Sequence, residues 1–301
     1  MPGNLYILGP GQGAQAVGMG KALFDASSTA RDIFQTANRV VGFDLSALCF
    51  SGPEERLNQT DISQPAIYVT GIASFHHAVE SGLFDAAAVT AYAGLSLGEY
   101  TALHLAGVFG FEEGLRLVCL RGKYMQEAAV ASPSGMVALI GADEATARRL
   151  CREAAGGDVL VPANFNAPGQ IVVSGAAAAC QRLVKIAEAG GVRSAPLKVA
   201  GAFHSALMQS AADKMNAELA RIAFSRPDKI VYSNVTAKPH GDPDSIKRLL
   251  VEQIVSPVRW EQTMQNLFAA GEARVIELSP GRTLAGLARR INRRQPVESL
   301  G

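Results

Sequence analysis

Ser96 stands between two glycines in the pentapeptide GLSLG, Gly94 to Gly98, where the apolar run Ala86 to Ala93 gives way to a helix-forming segment. Flanking glycines permit a strained strand-to-helix turn that lifts a serine Oγ clear of a sheet, the setting of a nucleophile elbow. A glycine-rich connection with a capping serine carries the same letters, so the motif leaves both readings open. A hydroxyl attacks only with a base beside it, and the chain has five histidines: His76, His77, His104, His204 and His240. His104 is eight residues further along the expected helix, about 12 Å of rise, so it is expected on the surface or in packing. His76 and His77 fall near the end of the preceding helix and His240 in the polar turn KPHGDPD, and solvated positions are expected for all three. His204 differs: KVAGAFHSALM sets it just past an expected strand, among small residues at the mouth of a loop. It is the candidate base, with a core histidine as the alternative. No aspartate or glutamate near it in sequence offers itself as a third member.

Acyl chemistry also needs donors for an oxyanion, and a helix that begins just after Ser96 brings the backbone N–H of Leu97. The loop GPGQG, Gly9 to Gly13, can bring a second, that of Gln12, because its glycines let backbone approach a ligand closely. The loop lacks the Gly-Lys-Ser/Thr ending of a P-loop and the spacing of a dinucleotide site, which argues against nucleotide binding.

The elements that must hold these residues follow from the pattern. Asn4 to Leu8 is expected as a buried strand running into the glycine loop, followed by a helix through Lys21 to Phe24. A helix over Pro65 to Glu80 precedes the strand Ala86 to Ala93, and this strand, helix, strand, helix order implies parallel strands with crossover helices. Between Ser134 and Val199 the order is strand (GMVALIG), helix (DEATARRLCREAA), strand (DVLVPANF), strand (QIVVSG), helix (AAAACQRLVKIAEAG) and strand (VRSAPLKVA), a ferredoxin-like arrangement. The α/β pattern then resumes with IVYSNVT and ARVIELS as strands, two helices around Pro257, and the closing helix of PGRTLAGLARRIN. The expected fold is α/β, an α/β-hydrolase-like parallel-sheet core made of residues 1–132 and 200–301, with a ferredoxin-like subdomain, residues 133–199, inserted in it.

Composition limits the partners. The 301 residues are 48% hydrophobic and 18% charged, with 28 Lys and Arg against 27 Asp and Glu, so no global field draws nucleic acid or an anionic membrane. Cys49, Cys119, Cys151 and Cys180 have no paired spacing, which fits buried thiols in a reducing compartment better than a zinc site or a disulfide framework. The N-terminus has no basic stretch followed by a long apolar one, and no later run reaches the length of a membrane span; a cytoplasmic protein is expected.

Six segments in order resemble one family over nearly the whole chain: PGQGAQ (Pro10 to Gln15), GLSLGEY (Gly94 to Tyr100), RGKYMQ (Arg121 to Gln126), NFNAPGQ (Asn164 to Gln170), GAFHS (Gly201 to Ser205) and QIVSPVRW (Gln253 to Trp260). The chain is similar to the malonyl-CoA:acyl-carrier-protein transacylases of fatty acid synthesis and to the related acyltransferase domains of polyketide synthases. The resemblance implies that Ser96 is acylated, that His204 is its base, and that the N–H groups of Gln12 and Leu97 form the oxyanion hole. It implies that Arg121, which the residues alone place as a solvated helix residue, holds the free carboxylate of malonate, a task suited to a guanidinium fork. It further implies that the main-chain carbonyl of Gln253 orients the histidine, that Asn164 and Asn166 line the acyl-donor side, and that Phe203 crowds the space of an α-methyl group, favouring malonyl over methylmalonyl. Malonyl-CoA and acyl carrier protein are the implied partners, with no metal or other cofactor, and the chain is expected to act as a monomer. A carrier protein of a polyketide pathway is the alternative acceptor, and a serine esterase or thioesterase the alternative enzyme. Gly9, Ala14 and Leu95 depart from the common family residues Phe, Ser and His, and none of the three changes removes a reacting atom.

Overall fold

The computed structural model describes residues 4–301, and its nine strands form two sheets. They are β1 (Asn4–Gly9), β2 (Val89–Gly94), β3 (Ser134–Ile140), β4 (Leu160–Ala167), β5 (Gln170–Ala176), β6 (Arg193–Pro196), β7 (Ile230–Val231), β8 (Ala273–Glu277) and β9 (Glu298–Ser299). The larger sheet has the order β7-β2-β1-β8-β9 with every neighbouring pair parallel. β1 sits at its centre because it is apolar on both faces: Leu5 and Ile7 pack into one core, Tyr6 and Leu8 into the other. The chain leaves β1 to one side, for β2, and returns later to the other side, for β8. That reversal of direction opens a crevice at the carboxyl ends of the strands, where ligands of open α/β sheets bind. Leu8 pairs with Ala93 and Gly9 with Gly94, so the loops after β1 and β2 leave the sheet at the same level.

The smaller sheet is antiparallel in the order β4-β5-β3-β6, with the helices Glu144–Ala155 and Ala177–Ala189 closing over a core that includes Val137, Leu139, Leu150, Val173 and Leu183. The β-α-β-β-α-β expectation matches it element for element. β4 is tied to the other part of the chain by backbone hydrogen bonds, Phe165 N–H donating to Val258 O at 2.9 Å and Val258 N–H to Ala163 O at 2.8 Å, and by Ala163 and Ala167, which pack into its cores.

Several boundaries differ from expectation for physical reasons. The helix expected at Pro65 starts at Thr60 and keeps the proline inside it. Every residue from Ile62 to Phe75 is buried, and tertiary packing outweighs the local cost of a proline. Ala86–Ala88 form a short 3-10 turn before β2. VRSAPLKVA pairs only as far as Pro196, after which the chain bends toward His204, and IVYSNVT pairs only over Ile230–Val231 because Ser233 and Asn234 turn inward. Helices also form at Ser28–Val41 and Gln209–Leu219, which no motif marks. Among the described residues no helix is long and apolar enough to cross a membrane, and all four cysteines are free thiols, three of them buried.

Candidate active site

The turn after β2 is built by exclusion. A Cβ on Gly94 would fall 1.9 Å from the carbonyl carbon of Gly98, and one on Gly98 would fall 2.1 Å from Gly9 O, so only glycines let the helix Gly98–Leu105 start directly over the ends of β1 and β2. Ser96, between them, has φ 52°, a left-handed conformation that a serine adopts only when its surroundings impose it. Leu97 is the residue at the cap of that helix, so its N–H belongs to the unpaired first turn.

His204, held at φ 59°, reaches this serine across the crevice: Ser96 Oγ and His204 Nε2 are 2.9 Å apart. On the far side of the ring Nδ1 lies 2.7 Å from the main-chain oxygen of Gln253. A carbonyl only accepts, so Nδ1 carries the proton and Nε2 presents its lone pair to the hydroxyl. Burial is the main influence on this imidazole and the Arg121 cation the next; together they push its pKa down to about 4, while the bond to Gln253 pulls it the other way. At neutral pH the ring is an unprotonated acceptor.

Arg121 overturns the residue-level expectation of a solvated position: it is 1% exposed, in the middle of the helix Phe111–Ala131. Its Nη1 donates to Gln64 Oε1 at 2.7 Å, and its Nη2 to Ser96 Oγ at 3.0 Å and to Gln253 Oε1 at 2.9 Å. All three acceptors are neutral, and Nε, also buried, has no partner. Burial lowers the pKa of this guanidinium, yet a guanidinium stays charged in proteins. A buried cation with only neutral partners is half of an ion pair, placed beside a nucleophile.

A cavity of about 400 Å3 opens onto these groups. Gln12, Ser96, Arg121, Phe203 and His204 line it, and Asn164 and Asn166 reach it from β4. Gln253 is fully buried behind the reacting pair rather than on the wall. All nine residues singled out from the sequence therefore converge at the carboxyl end of the parallel sheet, from both sides of the junction at Val258.

His240 requires a correction. Expected as a solvated turn residue, it is buried, its side chain 0% exposed, with Nε2 2.7 Å from Glu99 Oε1. The physical reason lies one residue past the GLSLG turn, where Glu99 points inward from the first turn of its helix and draws the turn residue onto it. His104 is a packing residue, its Nδ1 3.0 Å from Phe109 O. Asn234 is one residue that sequence reasoning missed, as it missed Gln64 and Glu99: its Oδ1 accepts from Ser96 N–H at 2.6 Å and its Nδ2 donates to Gly94 O at 2.7 Å. The signal was the pair Ser233-Asn234 interrupting an apolar strand.

Parallel sheet, strained serine turn, histidine and buried arginine together are suited to acyl transfer through a serine. Residues 6–299 match the family model described as the acyl transferase domain, and the chain belongs to that family. It is 41% identical to the malonyl CoA-acyl carrier protein transacylase of Escherichia coli (strain K12), over 94% of this chain and 91% of that protein. The solved structure of the malonyl CoA-acyl carrier protein transacylase from Coxiella burnetii superposes with a TM-score of 0.95 at 37% identity, covering 100% of this chain and 94% of that one. A malonyl-transacylase solved in complex with its type II polyketide acyl-carrier protein superposes with a TM-score of 0.93 at 39% identity, covering 98% of this chain and 94% of that one.

Proposed function

We propose that this protein moves a malonyl group from malonyl-CoA to the phosphopantetheine thiol of an acyl carrier protein, through a malonyl ester on Ser96. His204 Nε2 takes the Ser96 proton as Oγ attacks the thioester carbon. The N–H groups of Gln12 and Leu97 receive the developing oxyanion, and the C–S bond breaks as the proton passes from His204 to the CoA sulfur. The second half runs in reverse: His204 takes the proton of the carrier thiol, its sulfur attacks the ester, and the proton returns to Ser96 Oγ. Gln253 O keeps the imidazole in the required tautomer throughout.

The observation that carries this reading is Arg121. A hydrolase acting on neutral esters has no use for a buried, unpaired cation 3.0 Å from its nucleophile, whereas a malonyl group brings the missing anion with it. When malonate binds, its carboxylate pairs with the guanidinium from the cavity side, where Nη2 now donates to Ser96 Oγ, with Phe203 and the asparagines Asn164 and Asn166 shaping the rest of the cavity. Free thiols throughout the described residues favour a cytoplasmic location. The polyketide carrier protein of the solved complex is a second acceptor class for this same chemistry.

The test follows the acyl group. Mixing with malonyl-CoA is expected to add one malonyl to Ser96 by mass spectrometry, and holo carrier protein to discharge it faster than water does. Dominant hydrolysis, or no adduct, overturns the proposal. Arg121→Ala is expected to lower malonyl transfer by about 100-fold, the loss of a charged hydrogen-bond pair, and to favour acetyl-CoA relative to malonyl-CoA. Running fatty acid and polyketide carrier proteins side by side separates the two acceptor classes.

A further inference from the structure

Beneath the reacting pair lies a second layer of buried polar groups, all converging on one carboxylate. Glu99 is fully buried, and its two oxygens take three hydrogen bonds from three segments of chain. Oε1 faces His240 Nε2 at 2.7 Å; Oε2 accepts from Asn234 N–H at 3.0 Å and from Gln253 Nε2 at 2.7 Å. Those donors come from the turn after β7, the turn that follows it, and the helix Pro243–Val255. A carboxylate removed from water is stable only when its lone pairs are filled this way, and once filled it fixes every donor that fills them.

What it fixes is the polarity of the Gln253 amide and the position of the Asn234 main chain. With Nε2 of Gln253 committed to Glu99, and donating also to Ser96 O at 3.1 Å, its Oε1 must face Arg121, where it accepts from Nη2 at 2.9 Å. The main-chain oxygen of the same residue holds His204. Asn234, anchored by its N–H, places Oδ1 on Ser96 N–H and Nδ2 on Gly94 O, gripping both sides of the strained turn. A flip of the Gln253 amide would set an NH2 group against the guanidinium. Glu99 thus bonds directly to Gln253, which orients the base and accepts from the arginine, reaches the Ser96 backbone through Asn234, and touches none of the reacting atoms itself.

We infer that Glu99, with His240 as its buried partner, is the positioning residue of this site: it holds the Ser96 turn, the His204 ring and the Arg121 fork in one register, through Asn234 and Gln253. The inference rests on the acyl-transfer reading only for the identity of the acyl group. Geometry is the operative quantity at Asn234 and Gln253, because both donors there are neutral amides.

Glu99→Asp and Glu99→Gln separate geometry from charge. The aspartate keeps the charge but withdraws the oxygens by a methylene, and a displacement of that size costs about 100-fold in rate when it reaches reacting groups. The glutamine loses the charge but keeps an oxygen for Asn234 N–H and Gln253 Nε2, and is expected within about tenfold of the parent. Two rates are read on the folded fraction: malonyl transfer, and labelling of Ser96 by a serine-directed fluorophosphonate, which needs no malonyl carboxylate. Loss of both rates in Glu99→Asp, with recovery in Glu99→Gln, supports the role; parent rates in Glu99→Asp overturn it. Where Glu99→Asp does not fold, His240→Asn decides, because it removes the bond to Glu99 Oε1 and leaves Asn234 and Gln253 unaltered. About tenfold slower labelling supports the role and the parent rate overturns it. A parent that labels normally but accepts no malonyl would count against the acyl-group assignment alone.

Discussion

His204 is the residue whose environment most directly sets a measurable property. Desolvation and the neighbouring Arg121 cation both disfavour its charged form, so the free protein holds it neutral from neutral pH down to about 4. A base is competent only when unprotonated, so reactivity of Ser96 stays level through pH 6.5, where an ordinary histidine would already be titrating, and falls only as pH approaches about 4. Fluorophosphonate labelling rates between pH 4 and 8 measure this without any titrating group on the donor. A half-maximal point near 6.5 would contradict the environment described for the ring. Because Arg121 is the second cause of the depression, a bound malonate that neutralises its charge should raise the limb seen in kcat above the limb seen in kcat/KM.

At the scale of elements, the turn that presents Ser96 depends on two helix-to-strand contacts closer than any side chain allows. Gly98→Ala would drive a methyl to within 2.1 Å of Gly9 O, and is expected to destabilise the fold by about 1–3 kcal/mol or more, the cost of overpacking a rigid junction. Gly286→Ala is the control: Gly286 is an exposed glycine inside the helix Thr283–Ile291, where a Cβ meets nothing within 4 Å. It is expected to be neutral or to stabilise by up to about 1 kcal/mol. Urea midpoints compare the two, and equal stabilities would show that the glycine junction is not as tight as described. This junction was legible in the sequence because its signal is local: an apolar run, two glycines, a serine and a helix lie within one stretch. Arg121 was not legible from its own surroundings, since Gln64 and Gln253, the residues that bury it, lie 57 and 132 positions away; the family motif was needed. The Glu99–His240 pair escaped both routes, because KPHGDPD has the composition of a solvated turn and its partner lies 141 positions distant. Strand ends failed for the same reason: β6 and β7 stop where Leu197 to His204 and Ser233 to Asn234 are pulled toward the site by long-range bonds.

For the whole molecule, the buried histidines tie the site to stability. Unfolded, a histidine takes up a proton near 6.5, whereas folded His204 refuses it until about 4, so between those values the unfolded chain binds more protons and stability must fall as pH falls. At about 1.4 kcal/mol per pKa unit this window is worth on the order of 3 kcal/mol. His76 and His104, both held below the usual histidine value chiefly by burial, act in the same direction. Carboxylates held low by hydrogen bonds, such as the helix-capping Asp44, Asp143 and Asp242, lose their contribution only at more acid pH. Acid unfolding should therefore begin with the histidines. Urea midpoints followed from pH 7 to 4 are expected to decline across the window, and His204→Gln, which removes the largest titrating contribution, is expected to flatten the decline while abolishing acyl transfer. If the variant loses stability with the same slope as the parent, the proton refused by the folded protein is not that of His204, and the neutral base on which the acyl-transfer chemistry depends would have to be held by other means.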